Sequence, residues 1–279
     1  MPIRIGTNRV SRLIVGDSVD SDARAFFTAT GITDATIKSA INTLVVTMKA
    51  DGTWTKMYAL YPFVGGTAST NSYNLIDTTA YTLSYTGAVT HNSDGITGNG
   101  GYADTGLNIV SDVTNYKTDQ HISLYSRTAT QDGGSAGWDI GVGIPFVSPY
   151  PIYGLAIGRP GGGGQRIYDY GNFINNGRLL TSATTSDNAG LFLGRTSAAD
   201  EHKIFRNGIQ QAASTATTTA NDANGSIWIL GLNPLGSGTT SFSLRNIALA
   251  SIGQSLNDTE QSDFYDAVQA FQTTLSRQV

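Results

Sequence analysis

The chain has no cysteine in 279 residues, which excludes disulfides, thiolate metal ligands and a cysteine nucleophile. Charge is scarce as well: Asp, Glu, Lys and Arg make up 14% of the residues, against about 25% in an average globular chain. Glutamate occurs only as Glu201 and Glu260. A sandwich glycosidase that sets two glutamates at i and i+4 on one strand has no counterpart here, and the expectation is that the chain is not an enzyme. The net charge is -4 and no basic stripe occurs, so no nucleic-acid partner is expected. No run of about 18 apolar residues suggests a membrane helix. The first residues, with scattered Arg4, Arg9 and Arg12, do not read as a secretion signal.

What is present is glycine, hydroxyl side chains and tyrosine. There are 33 Gly and 13 Tyr, and apolar residues reach 39%. Such a chain buries a core and builds short strands joined by polar turns. Three regions are predicted. Residues 1–19 carry a small echo, Ile5-Gly6-Thr7-Asn8-Arg9-Val10 followed by Val15-Gly16-Asp17-Ser18-Val19, and read as a β-arm. Residues 20–58 read as helical. Asp20 or Ser21 caps one helix that Gly31 stops, and Thr33 or Asp34 caps a second whose Ile37, Ala40, Ile41, Leu44, Val45 and Met48 form one stripe. Residues 59–279 read as a sandwich. Ile122, Leu124 and Ser126 alternate with their neighbours, as do Ile140, Val142 and Ile144, and Ile227 and Ile229. Asn176-Gly177 and Asn207-Gly208 signal two-residue hairpins. Phe242–Ile252 reads as a central strand buried on both faces. Asn257 and Glu260 cap a last amphipathic helix through Phe264, Val268, Phe271 and Leu275. The fold class is mostly β: an antiparallel β-sandwich with an N-terminal helical segment and a C-terminal helix.

Few residues carry an obvious chemistry. His91, His121 and His202 do not pair at metal-ligand spacing and read as surface or hairpin histidines. Asp132, Asp139, Asp169 and Asp187 sit beside turn formers, and turn chemistry accounts for most of them. The stretch His91–Asp104 places Asn92, Asp94, Asn99 and Asp104 in one loop with Tyr102. Such an oxygen-rich loop can hold Ca²⁺, although turn chemistry alone also explains it. No other cofactor is expected. Tyr150, Tyr153, Tyr168 and Tyr170 cluster around a glycine-rich loop with Arg159 and Arg166. Tyrosine suits recognition of sugar rings, and it equally serves as cover for sheet edges.

Several segments resemble a known family: FFTATGITDATIKSAINTLVVTMKADGTWTKMYALYPFVGGTAS (26–69), GYADTGLN (101–108), HISLYSR (121–127), KIFRNGIQ (203–210) and the C-terminal run 247–279. They are similar to bacteriophage virion proteins that carry a concanavalin A-like, laminin-G-like jelly-roll domain. The resemblance covers most of the chain and is weakest over about 128–200. It implies a jelly-roll sandwich, location in a virion, and a structural or adhesive role. It also implies partners: other virion proteins met through the arm and helices, further copies of the same chain, and a host-surface glycan or protein. It supplies no catalytic residues.

Overall fold

A computed structural model of the chain describes residues 19–129, 138–144, 151–160, 166–172, 179–180, 187–217, 222–237 and 241–279. The β-arm predicted over residues 1–19 lies almost wholly outside them, and so does Asn176-Gly177.

Helix α1 (Ser21–Thr30) begins where the Asp20 carboxylate accepts from the Asp22 N–H, and it ends on left-handed Gly31. Helix α2 (Ala35–Ala50) is capped by Asp34 and buries Ala40, Ile41, Leu44, Val45 and Met48. Lys49 bridges back to Asp20 and Asp22 at 2.6 and 2.7 Å and ties the end of α2 to the start of α1. Strand β1 (Met57–Tyr61) follows a 3₁₀ turn at Trp54–Lys56. Two four-residue helices, α3 (Ala68–Asn71) and α4 (Ile109–Asp112), interrupt the strands that come next. The last helix, α5 (Asp258–Thr274), carries the predicted capping box: Asn257 takes the Glu260 N–H while Glu260 takes the Asn257 N–H.

The first sheet contains β1, β3 (Val89–Asn92), β4 (Gly95–Gly98), β6 (Gln120–Ser126), β11 (Gly190–Ala198), β12 (Glu201–Arg206), β13 (Ile209–Ser214) and β17 (Asn246–Gly253). Its order is β13-β12-β11-β6-β17-β4-β3, with β1 also on β17. The second sheet contains β2 (Ser84–Thr86), β5 (Tyr102–Asn108), β7 (Ile140–Gly143), β8 (Ile152–Pro160), β9 (Arg166–Asn172), β10 (Leu179–Leu180), β14 (Ser226–Ile229), β15 (Gly231–Asn233) and β16 (Ser241–Phe242). Its order is β10-β9-β8-β7-β14-β5-β2, with β15 also on β7 and β16 on β15. Among the described residues all pairings are antiparallel except β15 on β7, which is parallel.

One core fills the space between the sheets, around Tyr61, Leu124, Tyr153, Tyr170, Phe192, Ile229 and Ile252. A second core fills the space between the first sheet and α1, α2 and α5, around Phe26, Leu44, Leu193, Leu249 and Phe264. This third layer explains a departure from simple alternation. Strand β6 is buried at every residue, because the helices cover the face a two-layer sandwich would leave wet. Strand β17 is the central strand expected, but it is shorter than Phe242–Ile252: Phe242 belongs to β16, and Ser243–Arg245 connect the two sheets. Asn207 and Gly208, at φ 48° and 76°, form the hairpin that joins β12 to β13.

Candidate functional site

The residues expected to bind are scattered by the fold. Tyr153 and Tyr170 are fully buried in the chain's own core. The Tyr153 hydroxyl donates to the His121 carbonyl at 3.0 Å. The Tyr170 hydroxyl accepts from Gln120 at 2.6 Å and lies 3.0 Å from the Thr196 hydroxyl. Burial raises both phenols above their ordinary range. These two tyrosines are interior struts rather than a recognition face, because both pack into the core between the sheets. Tyr150 and the glycine-rich loop lie outside the described residues, as do the side chains of Arg159, Arg166 and Tyr168.

The four expected Ca²⁺ ligands also part company. Asn92 and Asp94 sit at the β3–β4 turn, where the Asn92 side chain accepts from the Asp94 N–H at 2.9 Å. Asp94 pairs with Arg127 at 3.0 Å. Asn99, beyond the far end of β4, donates to the Thr90 hydroxyl at 2.7 Å. Five extended residues span about 16 Å, whereas a Ca²⁺ ion needs its oxygens at about 2.3–2.6 Å. Asp104 belongs to β5 in the other sheet. The loop reading of His91–Asp104 is thus corrected to a hairpin followed by a strand. Among the described residues, no three His, Asp or Glu side chains come together to hold a metal.

The histidines are corrected as well, since His121 and His202 are fully buried. His121 Nδ1 faces the Gln254 carbonyl, which can only accept, so Nδ1 carries the proton and Nε2 accepts from Ser251 at 3.0 Å. Ser251 in turn lies 2.6 Å from the Ser123 hydroxyl. A serine beside a histidine resembles a nucleophile and its base, but this pair is sealed beneath α5 and no substrate reaches it. A cavity of about 470 Å³ lies between Ile37, Val64, Asn92, Ser93, Leu275 and Arg277. Its buried cation, Arg277, is pushed down to about 10 by burial. The guanidinium is already committed to the Phe63 carbonyl at 2.8 Å, Pro62 at 3.2 Å and the Gln272 side chain at 2.9 Å. The cavity therefore offers no free donor from that group.

A different surface has the makings of a site. On β5, Ala103, Thr105 and Leu107 are buried between the sheets, so Tyr102 and Asp104 face outward. On β14, Ile227 and Ile229 point inward and Trp228 points outward. Register places Trp228 opposite Asp104 on one side and Gly141 on the other, with Ser84 beyond Asp104. The Trp228 and Tyr102 rings stack at 3.6 Å with planes 12° apart, and Phe242 extends the stack at 6.1 Å. All three rings are partly exposed. One Asp104 oxygen accepts the Gly106 N–H at 2.9 Å, and the other takes no partner among the described residues. A ring stack beside a half-free carboxylate supplies an apolar face and an oxygen acceptor within one row of the sheet. Sequence reading noted Tyr102 and Asp104 but misplaced them in a loop; it saw Trp228 only as one member of an alternating pair.

No family model matches the chain, and no curated protein matches it. Solved structures do. A Trypanosoma rangeli sialidase in complex with 2,3-difluorosialic acid, a covalent intermediate, aligns at a TM-score of 0.50 and 14% identity, over 82% of this chain and 39% of that one. A botulinum neurotoxin type C structure, described as depending on two ganglioside molecules for cell entry, aligns at 0.50 and 12% identity, over 77% of this chain and 52% of that one. Domain 4 of the Geobacillus stearothermophilus arabinanase AbnA, with arabinotriose, aligns at 0.48 and 13% identity, over 75% of this chain and 98% of that one. The fold is a concanavalin A-like β-sandwich. The chain spans about two fifths of the sialidase and half of the toxin chain.

These likenesses correct one expectation. Scarcity of glutamate led to the reading that the chain is not an enzyme. The same concanavalin A-like sandwich lies within a chain named as a sialidase and caught as a covalent intermediate. The expectation that the chain is not an enzyme is therefore not kept.

Proposed function

We propose that the chain is a glycan-binding sandwich displayed on a bacteriophage virion, where it engages the host surface. The observation that carries this reading is the Trp228–Tyr102 stack with Asp104 beside it. Sugar rings offer C–H faces to aromatic rings and hydroxyl donors to carboxylate oxygens. The sandwich shared with a sialidase bound to 2,3-difluorosialic acid and with a ganglioside-dependent toxin supports a carbohydrate setting. The resemblance of segments 26–69, 101–108 and 247–279 to virion proteins supports the location. In this reading residues 1–19 and the helices of 20–58 join the particle, and 59–279 present the binding face. Copies of the chain assemble together, and many weak sites then act at once.

The test is a glycan array probed with the multimeric protein and with Trp228→Ala, whose fold is checked by circular dichroism. Retention of host glycans by the native chain and its loss in the variant are expected. Equal retention by both would remove Trp228 from the site. The same incubations, analysed for released sugar, report whether bound glycan is also turned over.

A further inference from the structure

The class of sugar can be read from the charge on the same face, an inference that rests on the glycan-binding reading. We propose that the Trp228–Tyr102 face selects uncharged sugars over acidic ones, and that Asp104 is the residue that discriminates.

The residues facing outward around the stack are Ser84 and Thr86 on β2, Tyr102 and Asp104 on β5, Ser226 and Trp228 on β14, and Phe242 on β16. Asp104 is the single charge among them. No cation pairs with it among the described residues. The Gly106 N–H anchors one oxygen at 2.9 Å and fixes how the carboxylate is turned. The second oxygen can only accept. A neutral pyranose brings hydroxyl donors to that oxygen and sets a C–H face on the rings. A sialic acid or uronic acid brings a second carboxylate with no proton to donate at neutral pH. Two anions would then meet with no arginine or lysine between them, a like-charge contact that disfavours the wrong partner. The rings add to this bias, because aromatic faces carry negative quadrupole charge. The chain's net charge of -4 acts in the same direction.

The experiment compares neutral oligosaccharides with their sialylated counterparts on the same core, using the native chain, Asp104→Asn and Trp228→Ala. Asparagine keeps an oxygen for the Gly106 N–H while removing the charge, so the local turn survives. The native chain is expected to retain neutral glycans about tenfold better than sialylated ones. Asp104→Asn should narrow that gap, and so should about 0.5 M salt, which screens the repulsion. Trp228→Ala should lose both classes. Equal retention of both classes by the native chain, or an unchanged gap in Asp104→Asn, overturns the selectivity while Trp228-dependent binding keeps the glycan reading intact. Undiminished binding by Trp228→Ala overturns the glycan reading of this face, and the selectivity falls with it. Retention of no glycan at all does the same.

Discussion

The guanidinium of Arg245 lies 3.2 Å from the carboxylate of Asp139, and both side chains are sealed from solvent. Asp139 also takes the Ile157 N–H at 2.6 Å and the Ser243 hydroxyl at 2.5 Å. Arg245 reaches across to the Ile157 carbonyl. The group therefore ties β7 and β8 of one sheet to the entry of β17 in the other. Removing one partner strands a buried charge, which costs about 3–5 kcal/mol. Arg245→Ala is expected to lower the urea midpoint by a corresponding amount. The double substitution Arg245→Met with Asp139→Asn should lose less, because neither charge is left alone. A double variant no more stable than Arg245→Ala would show that the pair is not the staple.

Gly194 lies under the ring of Tyr170. A β-carbon there would come within 2.3 Å of the ring, well inside contact distance. The missing side chain lets Tyr170 lie flat on β11 and reach Gln120 and Thr196 with its hydroxyl. Thr196 continues the chain of bonds to His202 at 2.8 Å. Gly194→Ala should cost about 1–3 kcal/mol through overpacking, read as a lower thermal midpoint. Tyr170→Phe, which keeps the ring and removes the hydroxyl, should cost about 1–2 kcal/mol, because Gln120 loses its partner. Were Gly194→Ala neutral, the close packing of β9 on β11 would not be what limits this layer.

Local signals were legible in the sequence wherever one residue dictates its own backbone. Asp20 and Asp34, each one of two candidates the sequence offered, and Asn257 cap helices through their side chains, Gly31 ends α1 in the left-handed conformation, and Asn207-Gly208 turns a hairpin. Long-range pairing was not legible. Asp139 looked like a turn former because of its neighbours, yet its partner stands 106 positions away in the sequence at Arg245. Asp104 and Trp228 become neighbours only when β5 and β14 align. Their separation in the chain hides a site that a single strand could not form. The tyrosines misled because clustering in sequence says nothing of facing: Tyr153 and Tyr170 pack into the core.

The Trp228 indole N–H is shut away from solvent and has no hydrogen-bond partner among the described residues. Its ring, by contrast, stacks fully on Tyr102. Trp228→Phe keeps an aromatic ring on the stack and removes an unpaired donor, whose burial costs about 1–3 kcal/mol. Loss of ring area offsets that gain, so stability should stay within about 1 kcal/mol of the native chain. Glycan retention should fall severalfold rather than vanish. A Trp228→Phe variant as inactive as Trp228→Ala would mean that the indole itself, and not its stacked face, is what a ligand needs.

Acid sensitivity follows from the buried histidines. Burial is the largest influence on His121, lowering it from 6.5 to about 4, while the Gln254 carbonyl opposes the shift. His202 is lowered for the same chief reason. A histidine depressed in the folded state is neutral there but binds a proton in the unfolded chain. Unfolding then takes up protons between the two values, so stability rises with pH across that window and is lost as pH falls through it. The contribution of His121 should be complete above about pH 6.5 and gone below about pH 4, a span of roughly 3 kcal/mol. Urea midpoints measured from pH 7 to pH 4 should fall steadily. His121→Gln, with a neutral amide at the same position, should flatten much of that slope; the remainder is shared by His202 and His91, which burial also lowers, and, toward pH 4, by the lowered carboxylates of Glu201 and Glu260. A native chain with equal midpoints at pH 7 and pH 4.5 would mean that His121 takes its proton without leaving the core, and that the Ser251 and Gln254 contacts do not hold it neutral.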